Sequence, residues 1–310
     1  MMRIAITGSS GLIGSALLAR FGHDGHAITR VVRGAGVRDP RHRTAAWNPA
    51  ENAIDRAGLD AHDAIVHLAG EDIAAGRWTP ARKQIIRESR IRGTRLLCET
   101  LAGLEHRPRV LITASGVGFY GHHDPDDRVD ETSARGAGFL ADLVRDWEEA
   151  TTPATAAGIR VVHTRFGIVL SPRGGALAKM LPIFGMGLGG RVGSGQQVMS
   201  WIALDDVPSV LLHIMEHDAL SGPVNVVSPH AVTNAEFART LGKVLSRPAM
   251  LPLPAFAARW LFGEMADALL LGGARVIPKR LEDTGYRFAY PRLEQALTHL
   301  LNPPTGSHAS

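Results

Sequence analysis

A single cysteine, Cys98, stands among 310 residues, which excludes an intramolecular disulfide and a cysteine-rich zinc cluster. No apolar run approaches the roughly 18 residues that a membrane-spanning helix needs. The opening Met1-Met2-Arg3-Ile4 runs straight into a short apolar strand and lacks the apolar core of a signal peptide. A cytoplasmic location without a membrane partner is expected. There is no basic tail either: the formal charge is +4, but the arginines are spread along the chain, which argues against nucleic acid. Small anionic ligands, such as a pyrophosphate, account for that excess more simply. No internal repeat or low-complexity linker interrupts the chain. What is present is an ordinary globular composition, 45% apolar and 21% charged, long enough for one large core or two intimate ones.

The first half alternates short β-rich runs with helical patterns. Strands are expected at Arg3–Thr7, Ala27–Val32, Ala64–Leu68, Arg109–Ala114 and Arg160–Thr164. Helices are expected at Leu12–Phe21, Pro80–Ala102 (with proline at its start) and Phe139–Ala150. This order predicts an α/β fold, a Rossmann-type doubly wound parallel sheet with ligands at the carboxyl ends of its strands. Beyond Arg165 the pattern changes to glycine-rich loops around a helix at Ala176–Phe184. A helix at Asp205–Glu216 and a strand at Val224–Val227 complete the sheet, and helices dominate from Thr233. The dinucleotide-binding domain is therefore placed at 1–170, completed by about 205–228. A smaller, mostly helical substrate-side region takes 171–204 and 229–301, and 302–310 form a flexible tail.

Thr7-Gly8-Ser9-Ser10-Gly11-Leu12-Ile13-Gly14 joins the first strand to the first helix. Gly8 permits the tight turn, Gly11 lets the backbone approach a pyrophosphate, and Gly14 allows close helix–strand packing. The N–H groups of Ser10 to Gly14 and the helix dipole then face the phosphates. At the end of the second strand an acidic residue would bond the ribose 2′-hydroxyl of NAD, whereas arginine suits a 2′-phosphate. Arg33 occupies that position, Arg30 is nearby, and no Asp or Glu follows them until Asp39. The expected cofactor is NADP(H).

These residues resemble the extended short-chain dehydrogenase/reductase superfamily, and within it the atypical branch of NAD-dependent epimerase-like proteins with a conserved C-terminal domain. The similarity spans nearly the whole chain. It is carried by Thr7–Gly14, His67-Leu68-Ala69-Gly70-Glu71, Arg77-Trp78 with Lys83 and Ser89-Arg90, and Ser115–Gly121. It continues through Trp147-Glu148, Arg165–Leu170, Gly187–Gly195, Ser200-Trp201-Ile202, Asn225 and Val276–Leu281. The resemblance implies that Leu68, Ala69 and Gly70 line the adenosine side of the cofactor and that Arg90 reaches its phosphates or ribose. Lys83, Arg87 and Arg90 lie at helical spacing and form one basic stripe. The resemblance also leaves a homodimer open.

Ordinary members of that superfamily use a Tyr-x-x-x-Lys pair and a hydroxyl four residues before a Tyr-Gly pair. Counted back from Tyr120, the hydroxyl position is Gly116, with Ser115 one residue away. The Tyr and Lys positions fall on Leu140 and Val144, which cannot move a proton. Tyr120, Ser115 and Lys83 remain as catalytic candidates. His67, on an apolar strand, reads as a core histidine. His122-His123-Asp124 lacks the further ligands a metal needs, so no metal is expected. Two functions follow. One is an NADP(H)-dependent oxidoreductase or nucleotide-sugar epimerase-like enzyme acting on an unidentified small molecule, with Gly185–Gly195 and Trp201 lining its pocket. The other is a non-catalytic NADP(H)-binding redox sensor or regulator.

Overall fold

The computed structural model describes residues 1–34 and 42–302. The main sheet has eight strands: β1 (Arg3–Thr7), β2 (Ala27–Val32), β3 (Arg43–Asn48), β4 (Ala53–Ile54), β5 (Ala64–His67), β6 (Val110–Gly116), β7 (Arg160–Phe166) and β8 (Gly222–Val226). Their order is β8-β7-β6-β5-β1-β2-β3-β4. β1 is parallel to both β2 and β5, β2 to β3 and β5 to β6, while β4 turns back antiparallel on β3. All four residues of β5 are buried, as expected of a central parallel strand covered on both faces. The chain leaves β1 toward β2 on one side and returns to β5 on the other. That reversal opens a crevice at the carboxyl ends of β1 and β5, where a doubly wound sheet binds its ligand.

The first helices are α1 (Leu12–His23), α2 (Pro80–Ala102) and α3 (Phe139–Glu149). α2 starts where the sequence predicts: Pro80 takes the first helical position and Thr79 Oγ1 accepts from Arg82 N at 3.1 Å, a standard N-cap. β3 and β4 are a correction, because the strands expected from the sequence pass from Ala27–Val32 directly to Ala64–Leu68. Arg43-Thr44-Ala45-Ala46-Trp47-Asn48 holds two alanines and no β-branched apolar residue, so its propensity is weak. Pairing with β2 and burial of Ala45 and Trp47 make it a strand. Asp39, and the predicted tail from 303 onward, lie outside the described residues.

Contacts divide the chain into two compact units. The first comprises Met1–Gly116, Asp142–Arg165 and Pro208–Val224. Its core packs Ala5, Ile65 and Leu111 of the sheet with Leu97, Cys98 and Leu101 of α2. Burial pushes the Cys98 thiol up to about 12, which makes it an inert packing residue. The second unit comprises Val117–Ala141, Phe166–Val207 and Asn225–Ser310, as far as residue 302 is described. Its core gathers Leu177, Trp201, Phe237 and Leu297, with helices at Gly175–Gly185, Asn234–Val244, Ala255–Phe262 and Leu293–Leu301.

Candidate dinucleotide-binding cleft

The turn after β1 is built from contacts that only glycine allows. Gly8 has φ +65°, and a Cβ there would lie 2.8 Å from the Leu68 carbonyl carbon and 2.9 Å from Ala69 N. Gly14 has no conformational need for glycine. Its constraint is space, since a Cβ would overlap Gly8 O and stand 2.7 Å from Ser9 Cα. Gly11 N donates to Gly8 O at 3.0 Å, closing the turn. Gly11 is also the cap residue of α1 and offers no side-chain acceptor. The first N–H groups of the helix, including those of Leu12 and Ile13, are thus left for an anion.

The turn opens into a cleft of about 700 Å³ within the first unit. Gly8, Ser10, Gly11, Arg33, Leu68, Ala69 and Gly70 line it, together with Ser9, Arg30, Glu71, Ser89 and Arg92. Arg33 is exposed at the end of β2, and Arg30 Nε donates to Ser9 Oγ at 3.3 Å. Arg90 takes a different place. Its guanidinium lies 5.0 Å over the Trp147 ring and 3.4 Å from where a Gly70 Cβ would be. Burial brings its pKa down to about 10. The basic stripe on α2 is partly engaged elsewhere, because Arg87 is ion-paired with Asp146. Trp47, Asn48, Pro49 and Ala50 form a further wall that the sequence reading missed along with β3. The indole N–H of Trp47 is buried without an acceptor among the described residues. The cleft therefore has the volume, the small backbone approach and the guanidinium groups that a phosphorylated dinucleotide requires.

A buried relay fixes the floor of this cleft. Thr7 Oγ1 accepts from Leu68 N at 3.1 Å and Ala69 N at 3.2 Å, so its own proton points to His67 Nδ1 at 2.7 Å. Nε2 of His67 then carries the ring proton and donates to Thr94 Oγ1 at 3.0 Å, which also accepts from Trp147 Nε1 at 2.9 Å. His67 is a fully buried neutral imidazole, and burial pushes its pKa from 6.5 down to about 4. An unfolded chain protonates near 6.5, so this contribution to stability is complete above that pH and is lost progressively toward 4. We expect wild type to lose about 3 kcal/mol across that window and His67→Gln to lack that part of the slope. Denaturant melts at several pH values measure it; identical slopes for the two proteins would refute it.

The catalytic candidates are each engaged. Ser115, near the carboxyl end of β6, donates its hydroxyl to Glu148 Oε1 at 2.6 Å. Glu148 is gripped by Arg165, Nε at 2.9 Å and the terminal nitrogen at 2.8 Å. In the second unit Tyr120 is fully buried and donates to Asn225 Oδ1 at 2.7 Å. Asn225 N in turn donates to Glu131 Oε1 at 2.9 Å, and burial raises the Glu131 carboxyl. Leu140 packs 3.1 Å from the Cβ position of Gly118, and Val144 is buried. Lys83 sits half-buried on α2. Trp201, expected in a substrate pocket, is instead wholly buried in the second core, and its indole N–H donates to His230 O at 3.1 Å. His122 packs against Gly272, and His123 Nε2 reaches Tyr120 O at 3.1 Å.

No helix among the described residues is long and apolar enough to cross a membrane. The chain is 46% identical over 301 residues to the epimerase family protein Mb2239 of Mycobacterium bovis, covering 97% of this chain and 98% of that one. It is 35% identical over 302 residues to the human epimerase family protein SDR39U1, covering 97% and 100%. The crystal structure of human SDR39U1 isoform 2 with NADPH superposes with a TM-score of 0.87, covering 96% of this chain and 99% of that one. A domain of unknown function, DUF1731, matches residues 253–300. The glycine turn, the parallel sheet and the match to the family model over residues 4–227 agree: this chain belongs to the NAD-dependent epimerase/dehydratase family, in its atypical short-chain dehydrogenase/reductase branch.

Proposed function

We propose that this chain binds NADP(H) in the cleft at the ends of β1, β2 and β5. The observation that carries the reading is Arg33, exposed in the cleft with Arg30 beside it, at the position where a carboxylate would select NAD. The human relative's crystal structure with NADPH supports it. The N–H groups of the Gly8–Gly14 turn bind the pyrophosphate, Leu68, Ala69 and Gly70 pass along the adenosine side, and Arg33 takes the 2′-phosphate. Bound NADPH supplies a hydride. Ser115, held by Glu148, presents a fixed hydroxyl oxygen at the end of β6. Residues 1–170, completed by about 205–228, hold the cofactor, and 171–204 with 229–301 serve a small-molecule substrate in the cytoplasm.

Loss of charge-assisted contacts to a 2′-phosphate costs roughly 1.5–3 kcal/mol. Arg33→Ala should therefore weaken NADPH binding about 10- to 100-fold and leave NADH almost unchanged in a fluorescence titration. Equal losses for both cofactors would count against the assignment.

In this reading the protein is an oxidoreductase or epimerase-like enzyme that works without the usual relay. A non-catalytic redox sensor is favoured by one specific observation: Gly116, Leu140 and Val144 replace the relay groups, and the Tyr120 hydroxyl is bonded to Asn225. The same NADPH-loaded protein decides between them. Near-ultraviolet absorbance that stays constant across a panel of carbonyl and nucleotide-sugar compounds identifies the sensor, whereas turnover identifies the enzyme.

A further inference from the structure

Arg90 carries a half-buried charge that no carboxylate among the described residues pairs with. Its neighbours on α2 differ: Arg82 pairs with Glu71 at 3.1 Å, and Arg87 with Asp146. Asp72 and Glu71 act on Arg90 only from a distance, and its hydrogen bond goes to the Ile86 carbonyl of its own helix at 3.2 Å. What supports the guanidinium is aromatic. It stands 5.0 Å from the centroid of the Trp147 ring, within cation–π range. It also borders Gly70, which lines the cleft. A Cβ at Gly70 would lie 3.4 Å from the guanidinium carbon and 3.6 Å from one of its nitrogens. The charge therefore sits directly behind the cleft wall, with no side chain at position 70 to cover it. Keeping a cation out of water without a carboxylate is costly, and an anion in the cleft would offset that cost.

Trp147 is itself held in place. It is buried and is not one of the residues lining the cleft. Its indole N–H donates to Thr94 Oγ1 at 2.9 Å, the oxygen that also accepts from His67 Nε2 at 3.0 Å. Through His67 and Thr7 that chain ends on the N–H groups of Leu68 and Ala69, the two residues that lead into Gly70. The position of the ring relative to Gly70 is thus set by hydrogen bonds, and the ring sets where the guanidinium rests. The loop is tied to α2 as well, because Glu71 N donates to Ser89 Oγ at 3.2 Å. On α3 the next residue, Glu148, accepts from Ser115. Consecutive residues of one helix therefore hold Arg90 and the hydroxyl at the end of β6.

We infer that Trp147 is a positioning residue for the cofactor: its ring holds Arg90 beside Gly70, where the guanidinium meets the pyrophosphate common to NADPH and NADH. This role rests on the cofactor reading above. Calorimetric titration of the full-length protein tests it. Trp147→Met removes the π face and should weaken NADPH and NADH alike, each roughly 10-fold, whereas Arg33→Ala affects NADPH alone. Trp147→Phe loses the same indole N–H but keeps a π face. It should cost less than about 3-fold, although both variants melt at lower temperature. The double variant Trp147→Met/Arg90→Met should bind no more weakly than Arg90→Met, because Trp147 acts through Arg90. Fluorotryptophan incorporation weakens the π face without changing the shape of the ring, which keeps the test open should Trp147→Met not fold. It should lower NADPH affinity about 2- to 3-fold in the wild type and leave Arg90→Met unchanged. Equal losses in Trp147→Met and Trp147→Phe, additive losses in the double variant, or a fluorination effect that persists in Arg90→Met would make Trp147 a packing residue only and overturn the inference. A wild-type protein that binds neither cofactor would instead refute the cofactor reading itself.

Discussion

Gly14→Ala should all but abolish NADPH binding, reducing affinity roughly 1,000-fold, although the substitution adds a single methyl group. That methyl would overlap Gly8 O and stand 2.7 Å from Ser9 Cα and 2.9 Å from the Gly8 carbonyl carbon. All three atoms are backbone, so no side-chain rotation relieves the clash. The turn must open, and its N–H groups leave the positions at which they meet the pyrophosphate. Overpacking of this kind also costs about 1–3 kcal/mol of stability. Gly25→Ala is the matching control. Gly25, unlike Gly14, has a left-handed backbone (φ +78°), but a Cβ there meets nothing within 4 Å. It should cost a modest backbone strain of about 1–2 kcal/mol and leave NADPH affinity intact. Titration of both variants alongside thermal melts makes the comparison. A Gly14→Ala protein that binds NADPH like wild type would sink the cradle as described.

The glycine turn was legible because its signals are local. A strand, three glycines at fixed spacing and a helix lie within a short stretch, and Arg33 ends the next predicted strand. The wall made by Trp47 and Asn48 was not, because β3 owes its existence to pairing with β2 rather than to its own weak propensity. The same limit applies to side-chain partners. Ser115, Glu148 and Arg165 each stand in a motif, yet their joining across 33 and 17 residues follows from the sheet order. His67 is an instructive middle case. An apolar strand marked it as a core histidine, but only the fold shows that its two nitrogens tie Thr7 to Thr94 beneath the cofactor cleft. Trp201 shows the reverse error. Its place in a glycine-rich region suggested a pocket wall, whereas strand pairing buries it completely.

The second large effect concerns the carboxylate at the end of β6. Arg165→Met should destabilise the protein by about 3–5 kcal/mol, a fall in melting temperature on the order of 10 °C. Both partners are taken out of water: the side chains of Arg165 and Glu148 are only 4% and 13% exposed. With the guanidinium present, Glu148 accepts two charge-assisted bonds from Arg165 and a third from Ser115. Remove it, and a buried carboxylate keeps the Ser115 hydroxyl alone, which cannot offset the loss of hydration. The penalty belongs to the orphaned charge, not to the pair. The double variant Glu148→Gln/Arg165→Met should therefore recover most of the loss, since a neutral amide beside a thioether of similar volume leaves no buried charge. Ser115→Ala, which keeps the ion pair, should cost only about 1 kcal/mol. Chemical denaturation of the three variants resolves the order. Recovery in the double variant would mean that Arg165 serves to offset the buried charge of Glu148, the acceptor that orients Ser115. An Arg165→Met protein that loses less than about 1 kcal/mol would show that the pair behaves as a solvent-screened surface bridge, and Ser115 would then have no fixed acceptor at the end of β6.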